Sequence, residues 1–252
     1  MSFDVAAGSY DRFMGRFSSR LAPTFADWAQ VRHGERALDV GCGPGALTQV
    51  LAERLGAAAV SAVDPSPAFV AAVAERLPGV DVQLAPAEQL PHPDGAVDHA
   101  LAQLVVSFMS DPVAGLREMA RVTRAGGTIS ACVWDLAGGR SPISLLWKAA
   151  RDLDPSITDE ASRAGAREGD LERLCEAAGL SDVVGGELTV TLRHATFEEW
   201  WEPYLLGVGP AGDHVASLDA EHREALRERC RELLPEPPFD VVAQAWTVRA
   251  TV

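Results

Sequence analysis

"ALDVGCGPGALTQVL" (residues 37–51) opens as an apolar strand and closes as an amphipathic helix, with Gly41, Gly43 and Gly45 at the join. A strand that passes through glycines into a helix is the start of a parallel α/β crossover, and such sheets bind ligands outside the carboxyl ends of their strands. From Gly41 to Ala46 the turn also satisfies G-x-G-x-x-A, the dinucleotide fingerprint, in which backbone N–H groups hold a pyrophosphate. Asp39, two residues before the first glycine, is awkward for that ligand. A carboxylate there repels phosphate and suits a ligand with a cationic centre and an ammonium group.

The same alternation runs outward from this turn. Phe17, Leu21, Phe25 and Trp28 in "FSSRLAPTFADWAQV" (17–31) lie at helical spacing and predict an N-terminal helix. Strands are predicted at 36–40, 59–64, 80–85, 96–103 and 128–134, and helices at 47–55, 67–77 and 112–127, the last closed by Gly126 and Gly127. Beyond Trp134 the period loosens. Helices are expected over 141–153 and over 170–178, with Asp170 as N-cap and Gly179 just past the end. A strand follows at 183–194. A helix over 196–207 opens with Thr196 and Glu199 in capping-box spacing, and a charged helix occupies 219–234. The last strand, 239–252, is separated from 183–194 by this helical segment, which predicts a final antiparallel pair.

The bulk properties narrow the function. With 47% hydrophobic and 23% charged residues, the 252-residue chain has the composition of a soluble globular enzyme. Lys+Arg number 22 against Asp+Glu 36, a net charge of −14 that repels phosphate backbones and argues against a nucleic-acid partner. No apolar run reaches the roughly 20 residues that span a bilayer, and the N-terminal stretch has no signal-peptide core, so neither membrane insertion nor secretion is expected. Cys42, Cys132, Cys175 and Cys230 are far apart and fit reduced thiols in a cytoplasmic protein. No set of acids and histidines has ligand spacing, so no metal is expected.

"ALDVGCGPGALT" resembles motif I of class I S-adenosylmethionine-dependent methyltransferases, an acid and an apolar residue followed by G-x-G-x-G. "AVDPS" (62–66) is similar to the acidic end of that family's second strand, "AEQLPHPDGAVD" (87–98) to its third motif and the start of strand four, and "LREMARVTRAGGTI" (116–129) to the approach to strand five. "YDRFMGRFS" (10–18) resembles the N-terminal cap of small-molecule methyltransferases of the ubiquinone/menaquinone type. The resemblance covers 10–135, about half the chain. It implies a doubly wound, mostly parallel seven-stranded sheet with an antiparallel last strand, the Rossmann-like methyltransferase fold, with an inserted helical lid. The chain 1–252 is then one domain: a helical cap (1–35), a cofactor-binding core (36–135), and acceptor-side helices, lid and last strands (136–252).

The resemblance assigns roles residue by residue. Asp39 and the backbone of Gly41 and Gly43 would face the methionine portion of S-adenosylmethionine, and Asp64 its ribose hydroxyls. Pro65 and Ser66 would flank the adenine, and the N–H of Ala87 would meet an adenine ring nitrogen. Pro86 stands where many relatives carry Asp or Asn for the adenine amino group; Glu88 is the substitute, with a solvated acid as the plainer reading. Gln103 and Leu104 would close the adenine–methionine channel. Tyr10 would cover the cofactor, or pack as an ordinary helix residue. S-adenosylhomocysteine would be the product.

The acceptor is expected to be a small molecule, apolar or aromatic. Trp134 ends strand five beside the turn, while Trp200, Trp201 and Tyr204 cluster on the inserted helix. Two adjacent tryptophans on one helix are not expected to face one core, which leaves one free for the acceptor. Gly207, Gly209 and Gly212 would let such a lid move. His194 and His214 are the candidate bases; His33, His92, His99 and His222 read as structural or solvated. Two other readings remain open: a nicotinamide-dependent oxidoreductase, and an S-adenosylmethionine-binding protein without catalysis. Nothing in the sequence indicates an oligomeric state.

Overall fold

The computed structural model describes residues 7–252. The chain enters through α1 (Ala7–Tyr10), a π-helical turn (Asp11–Gly15) and α2 (Arg16–Trp28). There follow β1 (Ala37–Val40), α3 (Ala46–Leu55), β2 (Val60–Asp64), α4 (Pro67–Arg76), β3 (Asp81–Leu84), β4 (Val97–Gln103), α5 (Pro112–Val122) and β5 (Thr123–Trp134). Then come α6 (Ser144–Leu153), α7 (Asp170–Ala178) and β6 (Ser181–His194). A helical insertion, α8 (Phe197–Trp201), a 3-10 helix (Glu202–Leu206), α9 (Gly209–Ser217) and α10 (Ala220–Leu233), precedes β7 (Phe239–Thr251).

The seven strands form one sheet in the order β3-β2-β1-β4-β5-β7-β6. The first five pair in parallel, and β7 runs antiparallel to both β5 and β6. β1 lies in mid-sheet with all four residues buried, which explains its continuous apolar run broken only by Asp39. Helices cover both faces. On one, Leu21 and Phe25 of α2 are fully buried beside Leu47 and Leu51 of α3; on the other, Leu116 and Met119 of α5 meet Leu171 and Cys175 of α7. Each of these leucine, phenylalanine and methionine side chains contributes about 1.5–3 kcal/mol on burial. α2 also lies over β6, where Gly186 admits the Trp28 ring: a Cβ there would stand 2.5 Å from it.

Three local expectations are corrected. α5 ends at Val122, five residues before the expected glycine stop, because Thr123 turns extended and its hydroxyl donates to the Met119 carbonyl at 2.8 Å. Gly126 and Gly127 instead form the irregular start of β5, where the register with β4 shifts between Val97 and His99. A Cβ on Gly127 would stand 2.6 Å from the Asp98 carbonyl oxygen. Second, the N-cap of α7 is Gly169, in the left-handed region, and Asp170 is the first helical residue. Third, the glycine-rich run 207–216 is no hinge loop for most of its length. Gly209 and Gly212 belong to α9, and a Cβ on Gly212 would lie 2.8 Å from the Gly207 backbone, so the glycines allow close packing. Gly179 and Thr196 cap their helices as expected, the Thr196 hydroxyl accepting from the Glu199 N–H at 3.1 Å.

Gly127→Ala is expected to lower the unfolding free energy by about 1–3 kcal/mol in urea titrations, because a backbone oxygen blocks the methyl group. Gly8→Ala, where nothing lies within 4 Å of the added carbon, should leave stability unchanged or raise it by less than about 1 kcal/mol.

Candidate active site

The turn after β1 is built on left-handed backbone. Gly41 has φ +71°, and a Cβ on it would lie 2.5 Å from the Val105 side chain. Only glycine meets both conditions. Gly43 has φ +53° and open space where a Cβ would be. The amides of the turn are already engaged within the fold. Gly41 and Cys42 donate to the Val63 carbonyl at 2.8 and 2.9 Å, Gly43 donates to Asp64 Oδ2 at 2.8 Å, and Gly45 donates to the Cys42 carbonyl at 3.0 Å. Pro44 has no N–H. A pyrophosphate would find no open row of donors here, and the antiparallel β7 also departs from the dinucleotide sheet order.

Carboxylates replace those donors. Asp39 is 1% exposed and accepts from the Thr48 hydroxyl at 2.6 Å. Burial pushes its carboxyl up to about 7, against the pull of the Thr48 hydroxyl and with a further rise from the charge of Asp64. Asp64, at the end of β2, accepts from the Gly43 and Ser66 amides, each at 2.8 Å. Its burial outweighs those two bonds and also raises its pKa. Tyr10 lies over this end of the sheet, its ring edge-on to Phe69 at 5.6 Å, and burial and the Asp64 charge push its phenol up. A cleft is lined by Tyr10, Ser18, Asp39, Gly41, Leu47 and Gln103 among others. Gln103 donates to the Ser18 carbonyl at 3.1 Å, while its Oε1 is buried with no partner, as is Ser66 Oγ.

Of the remaining expected cofactor residues, Pro65 is exposed and Ala87 buried. Ala85 donates to the Asp64 carbonyl at 3.2 Å, which ties the segment after β3 to the end of β2. Glu88 accepts through Oε1 from the Ser110 amide and hydroxyl at 2.7 and 2.8 Å and from Asp111 N. Leu104 has φ +64° and leads from β4 toward a second space.

That space is an apolar chamber open to solvent, walled by Tyr10, Phe13, Met14, Leu104, Trp134 and Ile143. Tyr10 borders both the anionic cleft and the chamber. Trp134 is 6% exposed, edge-on to Phe17 at 6.4 Å, with Nε1 unpartnered. A smaller cavity beside it shares Phe13, Met14 and Ile143 and is bounded by His194, Trp200 and Tyr204.

The tryptophan pair corrects the sequence reading. Trp200 and Trp201 are 3% and 4% exposed and belong to one apolar cluster with Phe197, Tyr204, Leu226 and Phe239. α8 is only five residues long and is enclosed on several sides, so both indoles find cover. Tyr204 packs on Trp200 at 5.0 Å and donates to the Pro142 carbonyl at 3.3 Å. Trp201 lines neither cavity. His194 is 2% exposed, stacks on Phe239 at 5.5 Å, and has no hydrogen-bond partner on either nitrogen; burial and then Arg16 lower its pKa. His214, on α9, lies on the Trp147 ring at 5.4 Å, and burial lowers its pKa too.

Glu160 carries no signal in the sequence. It sits in the polar stretch between α6 and α7, which carries several acids and no distinguishing pattern, yet it is 5% exposed and lines the apolar chamber. Phe13 and Met14, within the cap segment, also line the chamber. All four cysteines are buried and free. Among the described residues no group of three His, Cys, Asp or Glu converges as metal ligands would, and no helix is long and apolar enough to cross a membrane.

Because folding raises the Asp39 pKa above the ordinary carboxylate value of about 4, the ligand-free protein is expected to lose stability as pH rises from there through about 7. Asp39→Asn, which retains an acceptor for Thr48, should flatten that slope in thermal melts. An identical slope in the variant would assign the titration to another group.

Residues 38–131 match the methyltransferase domain family. The chain is 35% identical over 128 residues to a malonyl-[acyl-carrier protein] O-methyltransferase of Serratia marcescens, covering 51% of this chain and 49% of that one. It is 32% identical over 159 residues to a ubiquinone biosynthesis O-methyltransferase of Parvibaculum lavamentivorans, covering 58% and 62%. The chain thus spans about half of the first relative and less than two thirds of the second. A crystal structure from Anabaena variabilis, reported as a methyltransferase from an antibiotic biosynthesis pathway, superposes with a TM-score of 0.61 at 19% identity over 92% of this chain and 97% of that one, a likeness of fold. Sheet order, acidic glycine turn and sequence match agree: residues 38–131 carry a methyltransferase domain, and the chain takes the methyltransferase fold.

Proposed function

We propose that this chain transfers a methyl group from S-adenosylmethionine to a small, mostly apolar acceptor held in the chamber beside Tyr10 and Trp134. The observation that carries the reading is the continuity of two unlike spaces. A cleft at the ends of β1 and β4, with Asp39 in its lining, adjoins an apolar chamber, with Tyr10 common to both. When bound, S-adenosylmethionine supplies a methyl group activated by its sulfonium charge. Asp39 and the turn at Gly41 and Gly43 take the methionine end, and the Asp39 carboxylate offsets positive charge there. Asp64 accepts from the ribose hydroxyls; its oxygens each hold one amide and retain further lone pairs. Gln103 Oε1, buried and unpartnered, accepts from the ammonium group. Pro65, Ser66 and Ala87 border the adenine, while Glu88 remains with the Ser110–Asp111 turn. Leu104 and Tyr10 separate cofactor from acceptor.

The chamber's task is positioning and exclusion of water, which methyl transfer requires more than strong acid–base groups. Trp134, Phe13 and Met14 supply apolar walls for a flat acceptor; Trp200 and Tyr204 reach the side cavity, and Trp201 stays with the core beneath. Two of the chain's relatives are named as O-methyltransferases, which supports oxygen as the methylated atom.

Calorimetric titration with S-adenosylmethionine, S-adenosylhomocysteine and NAD in parallel tests the cofactor. The two adenosyl compounds are expected to bind and NAD is not; NAD binding alone would restore the oxidoreductase reading. Asp64→Asn should weaken S-adenosylhomocysteine by roughly tenfold or more, since hydrogen bonds to a charged group are worth about 1.5–3 kcal/mol. Repeated turnover with any acceptor would exclude a binding protein without catalysis.

A further inference from the structure

The apolar chamber contains one buried carboxylate at its wall, Glu160. Its Oε2 accepts from Trp147 Nε1 at 3.2 Å, and its Oε1 pairs with Arg163 Nε at 3.2 Å. Arg163 is itself fixed, donating to the Ser107 carbonyl at 3.1 Å with its guanidinium 4.7 Å from the Phe108 ring. Glu160 also borders a more open, polar cavity with Ser141, Arg151 and Asp159, where the last two form an ion pair. A charge held at the boundary between an apolar space and a wet one is costly unless something uses it. Two donors do not saturate a carboxylate, which has about four lone-pair sites. The side chain is therefore rigid, nearly buried and still able to accept.

The geometry points to Glu160 as the polar anchor of the acceptor subsite, accepting a hydrogen bond from a single O–H on an otherwise apolar, flat acceptor, a phenol or enol. This deepens, and rests on, the reading of the chamber as the acceptor site. Arg163 decides between hydroxyl and ammonium. Its positive charge already balances Glu160, so an ammonium would add an unbalanced cation to an apolar enclosure, whereas a neutral O–H adds none. Trp147 and Arg163 hold the carboxylate in place, so its direction selects where on the ring the hydroxyl must stand.

The test uses para-cresol, its methyl ether, toluene and para-methylbenzylamine as probes, titrated calorimetrically into the full chain with and without S-adenosylhomocysteine. Wild type is expected to bind para-cresol at least about tenfold more tightly than the methyl ether, the size of a charge-assisted hydrogen bond. Glu160→Gln, neutral but still an acceptor, should reduce that preference, and Glu160→Leu should abolish it while toluene binds as well or better. Thermal melts separate this from a merely structural role, since loss of fold weakens all probes together and Glu160→Gln keeps the side chain's shape. Equal binding of cresol and its ether by wild type would overturn the anchor and leave the apolar acceptor reading standing. Tighter binding of the amine would overturn the choice of hydroxyl. Failure of every aromatic probe, with S-adenosylhomocysteine bound, would overturn both readings of the chamber.

Discussion

The site hangs on one cross-strand tie. The Val63 carbonyl, near the end of β2, accepts from two consecutive amides of the turn after β1, and Asp64 beside it accepts from a third and from Ser66. Those bonds pull the β1 turn against the end of β2, so the turn folds inward instead of presenting its N–H groups. Buried amides must be paired, and here the partners come from the adjacent strand. The consequence is an inversion of polarity relative to a phosphate-binding loop. The donors turn inward, the carboxylates of Asp39 and Asp64 remain near one cleft, and that cleft favours cations and hydroxyl donors.

The rest of the molecule completes an enclosure around this polar edge. α1, the π-helical turn and α2 bring Tyr10, Phe13, Met14 and Phe17 over the carboxyl ends of β1, β4 and β5. The insertion between β6 and β7 adds the aromatic cluster from Phe197 to Tyr204 on the other flank. Neither segment forms this wall alone: the first supplies one flank, and α8 is too short to persist as an isolated helix. Their mutual contacts, such as Phe13 on Tyr204 at 5.1 Å and Arg16 on Glu199 at 2.5 Å, couple them. The apolar chamber thus joins residues far apart in the chain: Tyr10, Phe13 and Met14 from its start, Leu104, Trp134 and Ile143 from its middle, and Val208 to Ala211 from its last quarter.

That division explains what was legible in the sequence. The core from β1 to β5 repeats a local rule, apolar run then glycine or proline then amphipathic helix, and its elements fall within a few residues of their expected bounds. Asp39, Gly41 and Asp64 were legible because spacing along the chain determines where strand ends meet. The misreadings arose where distant residues decide. Gly126 and Gly127 look like a helix stop, but both fall in an irregular strand, where the Asp98 carbonyl of β4 leaves no room for a Cβ on Gly127. Adjacency of Trp200 and Trp201 excludes a shared core only for a helix packed on one side, and a one-turn helix enclosed by several elements buries both faces. Glu160 was unreadable for the same reason: no local pattern separates it from exposed Asp154 nearby, and only Trp147 and Arg163 distinguish it.

The buried acids also bear on how the fold and its proposed ligands are linked. Asp39, Asp64 and Glu160 all have pKa values raised chiefly by desolvation, so each is held at some cost to the ligand-free protein. Replacing them with apolar residues would relieve that cost, as it does for many buried charges. Their burial in a net-acidic chain is therefore poorly explained by stability alone. A ligand that brings a sulfonium, an ammonium or hydroxyl donors to these groups returns part of the lost hydration, and it does so only when bound. In the proposed reading, binding energy and site polarity have the same source: carboxylates kept in a low-dielectric cleft and left incompletely satisfied until the cofactor and acceptor complete them.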